Sequence, residues 1–309
     1  MSRPLPISIL YIATVAIWGT SWFALRYQIG QVPELQSIAY RFLLAAAILL
    51  LWCFVARRRL RFGWRDHLFC AIQGATLFWF NYLLFYFATA RIPSGLMAVC
   101  FSTILVMNIA NGAIFFGSRA ERRVWIGALL GMAGLGLVFL PEIVGIEFSR
   151  AHLEGLLLSL VATFSASLGN MVSVRHKRAG MPVVESNALG MGYGALLGLA
   201  AAGLFSSPFR FDVEAPYLLS LGYLAFFASV IGFGSYLTLV QRIGADRAAY
   251  ASVLFPLLAL LLSTLFEGYR WTLPAGLGIL LVLAGNLLVL LRAKPAPAMP
   301  AAALPRTEP

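Results

Sequence analysis

Ten apolar runs, each roughly 20 residues long, set the terms for what this chain can fold into. They fall at about 6–27, 34–56, 67–89, 94–116, 124–140, 153–175, 183–205, 217–240, 247–267 and 272–291. A helix of that length is what crossing a hydrocarbon layer about 30 Å thick requires. Of 309 residues, 61% are hydrophobic and 11% charged, against about half and about a quarter in a soluble domain. A water-soluble core cannot hide that excess, because a globule of this size still needs a polar skin. The chain is therefore read as an all-α integral membrane protein of ten transmembrane helices. Pro33, Pro93, Pro141, Pro182, Pro208 and Pro216 all stand at run ends, where a missing backbone N–H costs least. The stretch after Arg3 lacks a small-residue cleavage site and runs on past Trp22, so it reads as a first span and not as a removed signal. Residues 293–309, rich in Pro and Ala, read as a disordered cytoplasmic tail.

The net charge of +11 would suggest nucleic acid in a soluble protein. Here the basic residues sit between the apolar runs, which points to loop charge on one side of a bilayer and away from nucleic acid. One set of links holds Arg3, Arg57, Arg58, Arg59, Arg61, Arg65, Arg119, Arg122, Arg123, Arg175, Lys177, Arg178, Arg242, Arg247, Arg292, Lys294 and Arg306. The other set holds only Arg26, Arg91, Arg150, Arg210 and Arg270, and it carries the acids Glu142, Glu147, Glu154, Asp212 and Glu214. The excess of positive charge places both termini in the cytoplasm. An odd number of spans would scramble this alternation. Cys53, Cys70 and Cys100 all lie within apolar runs and read as small buried side chains, not as disulfides or ligands.

The chain also repeats at a spacing of about 150 residues. Arg91-Ile92-Pro93-Ser94 opens the fourth run and Arg242-Ile243-Gly244-Ala245 the ninth, while Pro33 to Ser37 corresponds to Pro182 to Ser186. Five spans per unit is odd, so the second unit enters the membrane from the opposite side. The expectation is two inverted five-helix repeats, 5–140 and 152–292, with a substrate site near the midplane between them.

Trp18-Gly19 with Ser21, Arg41-Phe42-Leu43-Leu44, Arg91-Ile92-Pro93-Ser94, Glu121-Arg122 and the Gly127/Gly131/Gly134 ladder form an ordered series, continued by Gly244-Ala245, Pro256, Glu267 and Gly276. This series resembles the drug/metabolite transporter superfamily in its ten-span EamA-type form, over roughly residues 5–292. The resemblance implies a small-metabolite carrier of the bacterial inner membrane. Within the family the chain looks most like exporters of aromatic and hydrophobic amino acids. Two departures stand out: Phe164-Ser165 occupies a place where many members carry Trp, and Glu121 is displaced from its helix end relative to Glu267.

Several side chains could carry function. Arg41 lies eight residues past Pro33, roughly 12 Å along a helix. A charge that deep costs several kcal/mol unless it is paired or reaches water. Glu34, Glu185 and Glu267 all lie near span ends, which leaves backbone carbonyls, water or a substrate carboxylate for Arg41; a purely structural role pinning helix ends together stays open. The third run is the densest aromatic stretch, with Trp79, Asn81 and Tyr82 near its middle, a surface suited to an amphipathic or ring-bearing ligand. Thr14, Trp18 and Ser21 share a helical stripe, as do Thr163, Ser167 and Asn170, and Ser229 and Tyr236; Asn108 and Asn111 add to the fourth run. Together they predict a polar-lined cavity between the first, third, fourth, sixth, eighth and ninth spans. The substrate-binding candidates are Trp18, Ser21, Arg41, Trp79, Asn81, Tyr82, Asn108, Asn170, Ser229 and Tyr236, with Pro256 as a hinge. Glycine ladders at 127–136 and 190–198 suit close helix contact, within one chain or across a homodimer.

The chain has no G-x-x-x-x-G-K-[ST] loop, so no ATP hydrolysis is expected. It has no H-E-x-x-H and no G-x-S-x-G, and His67, His152 and His176 fall in or beside loops. No catalytic residue, metal or cofactor is therefore expected; the partners are a small-molecule substrate and the lipid bilayer. A flippase of lipid-linked substrates is the alternative carrier, and a membrane-embedded enzyme is disfavoured for want of a clustered acid/base or metal constellation.

Overall fold

A computed structural model describes residues 5–30, 32–117, 122–138, 140, 150–205, 208–243 and 251–290. Glu121, Glu142, Glu147, Pro141, the Gly244-Ala245 pair and the tail 293–309 lie outside these. Among the described residues there are helices and no strands. The helices are α1 (Ile7–Leu25), α2 (Glu34–Val55), α3 (Trp64–Thr89), α4 (Ser94–Phe116), α5 (Arg122–Val138), α6 (Arg150–Arg178), α7 (Val183–Phe205), α8 (215–243), α9 (Ala251–Phe266) and α10 (Leu273–Leu290). Seven of them, α1–α4 and α6–α8, are long and apolar enough to cross a bilayer. α5, α9 and α10 are apolar but shorter, and their runs extend into residues outside those described.

The distribution of polarity is that of a protein in lipid. Phe54, Phe205, Leu204 and Leu273 are 78–81% exposed, although each would be driven inward in water. Arg41, Gln36, Gln73, Asn81 and Asn111 are buried instead. Hydrocarbon offers no hydrogen-bond partners, so these groups must find theirs inside.

α2 packs along α7 and α5 along α10; α3 lies against α6 and α7, α8 against α1 and α2, and α9 against α1 and α4, while α4 also meets α6. Small residues permit the closest approaches. A Cβ added at Gly134 would lie 2.5 Å from the carbonyl oxygen of Gly278. One added at Gly74 would lie 2.5 Å from the carbonyl of Gly190. The glycine ladders of α5 and α7 thus serve contacts within the chain, through Gly127 and Gly134 toward α10 and through Gly190 and Gly194 toward α3.

Two helices depart from α geometry where sequence periodicity reads them as regular. α3 is π-helical over Gly74–Phe80 and α8 over Tyr223–Gly232. Such segments loosen the i→i−4 ladder, and neighbouring side chains take up carbonyls within them. Ser165 Oγ donates to the Thr76 carbonyl at 2.8 Å, and Trp18 Nε1 donates to the Ala228 carbonyl at 3.3 Å. α4 is interrupted at Thr103, whose hydroxyl donates to the Cys100 carbonyl at 2.6 Å. Pro256 stands inside α9.

The helix ends are tied by buried polar groups. The Glu267 carboxylate, 1% exposed, accepts from the Ser94 backbone N–H at 2.9 Å, the Ser94 hydroxyl at 2.7 Å and the Ser263 hydroxyl, and it forms an ion pair with Arg26 at 3.4 Å. It therefore caps α4, where an anion is favoured. Glu267→Gln is expected to lower stability by about 2 kcal/mol, since the amide cannot replace a charged acceptor of this many donors. Thermal unfolding of detergent-solubilised protein, followed by tryptophan fluorescence, would read this; an unchanged midpoint would remove the cap from the list of stabilising contacts. Glu185, tied to Arg58 at 3.3 Å, and Gln36, which accepts from the Arg210 backbone N–H at 2.7 Å, hold the corresponding ends of α7 and α2.

Candidate functional site

A cavity of about 790 Å³, including its open mouth, lies among α1, α2, α3, α4, α6, α8 and α9. Trp18, Ser21, Trp22 and Leu25 reach it from α1, Arg41 from α2, and Leu77, Asn81, Tyr82 and Phe85 from α3. Phe101 and Ile104 come from α4, Asn170 from α6, Phe233 and Tyr236 from α8, and Phe255 from α9. Eight of these fifteen residues are aromatic, so the lining is an aromatic cage with a few polar points and not the polar wall that the Ser and Thr stripes predict. The reason lies in local bonding. Thr14 and Thr163 donate to the carbonyls four residues back at 2.7 Å, the usual economy of hydroxyls in lipid. Ser167 accepts from Asn111 at 2.8 Å.

The rings cluster about Trp18 and Trp22, and Phe255 joins the two clusters, meeting Trp18 edge-on at 6.2 Å. Trp18 meets Phe233 at 5.2 Å and Tyr236 at 5.0 Å between centroids. Trp22 meets Phe85 edge-on at 4.9 Å and Phe101 at 5.6 Å, and it stacks at 6.4 Å on Phe255. Trp18 sits against Gly232: a Cβ there would lie 2.5 Å from its indole nitrogen. Gly232 thus sets the position of the ring, a role no sequence signal short of the fold announces.

Arg41 is the charged member among the described lining residues and is 2% exposed. Its Nε donates to Ser229 Oγ at 3.1 Å and one terminal nitrogen to the Tyr82 hydroxyl at 3.4 Å. The guanidinium carbon lies 4.4 Å from the Tyr82 ring centre and 5.1 Å from that of Phe42, a geometry that lets ring faces stabilise a cation. The ion pairs among the described residues are Arg26–Glu267, Arg58–Glu185, Arg91–Glu154, Arg150–Glu154 and Arg175–Asp66; none involves Arg41. Two of its five N–H donors are accounted for by Ser229 and Tyr82. Asn81, 3% exposed, has a side-chain oxygen with no hydrogen-bond partner.

Trp18, Ser21, Arg41, Asn81, Tyr82, Asn170 and Tyr236, singled out from sequence, come together here. Ser229 and Asn108 stand behind the lining: Ser229 holds Arg41, and Asn108 accepts from Asn170 at 3.3 Å. Trp79 is not in the lining. It lies two residues before Asn81, on the far side of α3, near Gly198 of α7, and its indole N–H has no acceptor. Pro256 adjoins the lining residue Phe255 and is buried. Trp22, Leu25, Leu77, Phe85, Phe101, Ile104, Phe233 and Phe255 were not legible as site residues. Trp22 and Leu25 follow Trp18 at i+4 and i+7, which is one face, but apolar residues on one face of a span look the same whether they meet lipid, protein or a cavity.

His176 lies beside a loop, as read, but it is buried. It is 2% exposed within the last turn of α6, with its ring 3.9 Å from Cys70 Sγ, which in turn lies 4.0 Å from Met181 Sδ. Among the described residues no three His, Cys, Asp or Glu side chains form a group able to hold a metal.

The profile of the EamA-like transporter family matches residues 5–140 and 153–291. The chain is 26% identical over 291 residues to Protein PagO of Salmonella typhimurium, covering 93% of this chain and 94% of that one. It is 26% identical over 301 residues to a probable amino-acid metabolite efflux pump of Escherichia coli, covering 90% and 92%. An uncharacterized inner membrane transporter of Escherichia coli, YedA, is 28% identical over 266 residues, covering 84% and 82%. Among solved structures, one crystal structure superposes with a TM-score of 0.68 at 18% identity, covering 91% of this chain and 95% of the other; that likeness concerns the fold.

Proposed function

The chain belongs to the EamA-like transporter family, a membrane transporter and not an enzyme, and on that premise we propose that it exports small metabolites, namely amino acids with aromatic or hydrophobic side chains. Transport proceeds by alternating access without ATP. The observation that carries this is the pairing of a buried Arg41, outside every ion pair among the described residues, with a cavity walled by eight rings. The guanidinium is suited to a carboxylate, and the rings to an apolar side chain. The printed name of the Escherichia coli efflux pump points the same way.

We further propose ten spans arranged as two inverted five-helix repeats, 5–140 and 152–292, with both termini in the cytoplasm of a bacterial inner membrane. Exchanging the first five helices for the last five maps the main helix contacts onto one another. α2–α7, α5–α10 and α4–α9 map onto themselves, α3–α6 onto α8–α1, α3–α7 onto α8–α2, and α1–α9 onto α6–α4. The π segments fall in α3 and α8, which are partners under the same exchange, and the interruption at Thr103 pairs with Pro256. Orientation follows from the one-sided distribution of Arg and Lys. Gly127, Gly134, Gly190 and Gly194 face helices of the same chain, which supports a monomer as the working unit, with a homodimer as the alternative. Pro256 and the π segments are where helices would bend as the halves rock.

Counterflow in liposomes loaded with a panel of amino acids tests the substrate. Phenylalanine and its hydrophobic relatives should exchange, and acidic or strongly basic amino acids should not. Tyr82→Ala, which removes a ring and a hydroxyl from Arg41, is expected to slow exchange about tenfold with folding intact. Loss of folding would make Tyr82 structural, and exchange of basic amino acids alone would end the assignment.

A further inference from the structure

Among the described residues the charge lining the cavity is unbalanced: Arg41 is the one ionised residue, and no described Asp or Glu lines it. Among the described residues Glu267 is engaged by Ser94, Ser263 and Arg26, Glu185 by Arg58, Asp66 by Arg175, and Glu154 by Arg91 and Arg150, while Glu34, Asp212 and Glu214 stand outside the lining. A ligand's carboxylate therefore meets a guanidinium held in place by Ser229 and Tyr82, and that site is built before the ligand arrives. A ligand's ammonium meets much less. The lining offers it neutral oxygens, the unpartnered side-chain oxygen of Asn81 among them together with those of Ser21, Tyr82, Asn170 and Tyr236, and ring faces, but no described carboxylate. In a dry site an anion beside a cation is strongly favoured, and a second cation is repelled.

We propose that the cavity selects the carboxylate and not the ammonium, so that it also takes aromatic monocarboxylates lacking an amino group, such as 3-arylpropionates and aryl 2-oxo acids, and rejects the corresponding amines and amides. This rests on the carrier assignment above and extends it to a second class of substrate. Arg41 is the selecting group. Asn81 tolerates an ammonium without requiring one.

Direct binding to purified full-length protein in detergent at pH 7.5 separates the possibilities, with the change in intrinsic tryptophan fluorescence, to which Trp18 and Trp22 of the lining contribute, as the signal. The probes are phenylalanine, 3-phenylpropionate, phenylalaninamide and 2-phenylethylamine. Expected are dissociation constants for 3-phenylpropionate within about threefold of phenylalanine, and at least about 30-fold weaker binding of the amide and the amine. In Arg41→Gln the two acids should fall to the level of the amide. The wild-type series alone decides the matter should that variant not fold. Equal binding of phenylalanine and its amide, or binding of 3-phenylpropionate more than about 30-fold weaker than phenylalanine, overturns carboxylate selection and leaves amino-acid transport standing. Binding of 3-phenylpropionate with none of phenylalanine removes the amino-acid assignment and keeps the carboxylate site. Binding of none of the four overturns both.

Discussion

Arg41→Gln is expected to slow counterflow of labelled phenylalanine at least about 30-fold, while the protein still elutes as a single species from a sizing column. Truncating one member of a buried hydrogen-bonded charge pair costs about 2–5 kcal/mol, and each 1.4 kcal/mol is about tenfold. The folded protein should tolerate the change. Arg41 is bonded to two hydroxyls, Ser229 and Tyr82, and glutamine leaves those oxygens near a polar neighbour instead of stranding a carboxylate. Arg41→Lys is the informative companion. Lysine keeps the charge but lacks the planar fork that meets a carboxylate with two donors, so partial rescue is expected. Exchange in Arg41→Gln above about a third of the wild-type rate would assign the residue to holding α2 against α8, and so would aggregation of both variants.

Gly134→Val is expected to destabilise the protein by about 3 kcal/mol or more, the upper range for overpacking. A Cβ at Gly134 would lie 2.5 Å from the Gly278 carbonyl oxygen and 2.8 Å from the Val282 backbone nitrogen. Backbone cannot swing aside as a side-chain tip can, so α5 and α10 must separate along their length. Gly136, two residues on, is the control: a Cβ there meets nothing within 4 Å, and Gly136→Ala should change the unfolding temperature little. If the two variants unfold alike, the close α5–α10 contact is not a stabilising feature of the folded protein.

These two residues also mark how far sequence reaches. Arg41 could be recognised without coordinates, because a charge eight residues past a helix-starting proline in an apolar run has a cost that composition alone reveals. Its partners could not. Ser229 lies 188 residues away and Tyr82 41, and only the crossing of α2, α3 and α8 brings them together. Gly134 was readable as a small residue on a small-residue face, but a glycine ladder is equally suited to a partner chain. Its occupation by Gly278 is a property of the fold. Trp79 shows the opposite case. Its aromatic ring in the middle of α3 reads like those of Tyr82 and Phe85, yet it faces α7 and not the cavity. Likewise Thr14 and Thr163 advertise polarity that they spend on their own helices.

What the sequence determined by itself is the helical, bilayer-embedded character of the chain and the uneven distribution of Arg and Lys among its links. Both are governed by local quantities: the length of an apolar run against the thickness of hydrocarbon, and the count of Arg and Lys in each link. The fold alone decided what the cavity is made of. In lipid an apolar face carries no preference between bilayer, neighbour and void, so the aromatic cage of Trp22, Phe85, Phe101 and Phe255 became visible only once four helices had been packed around it.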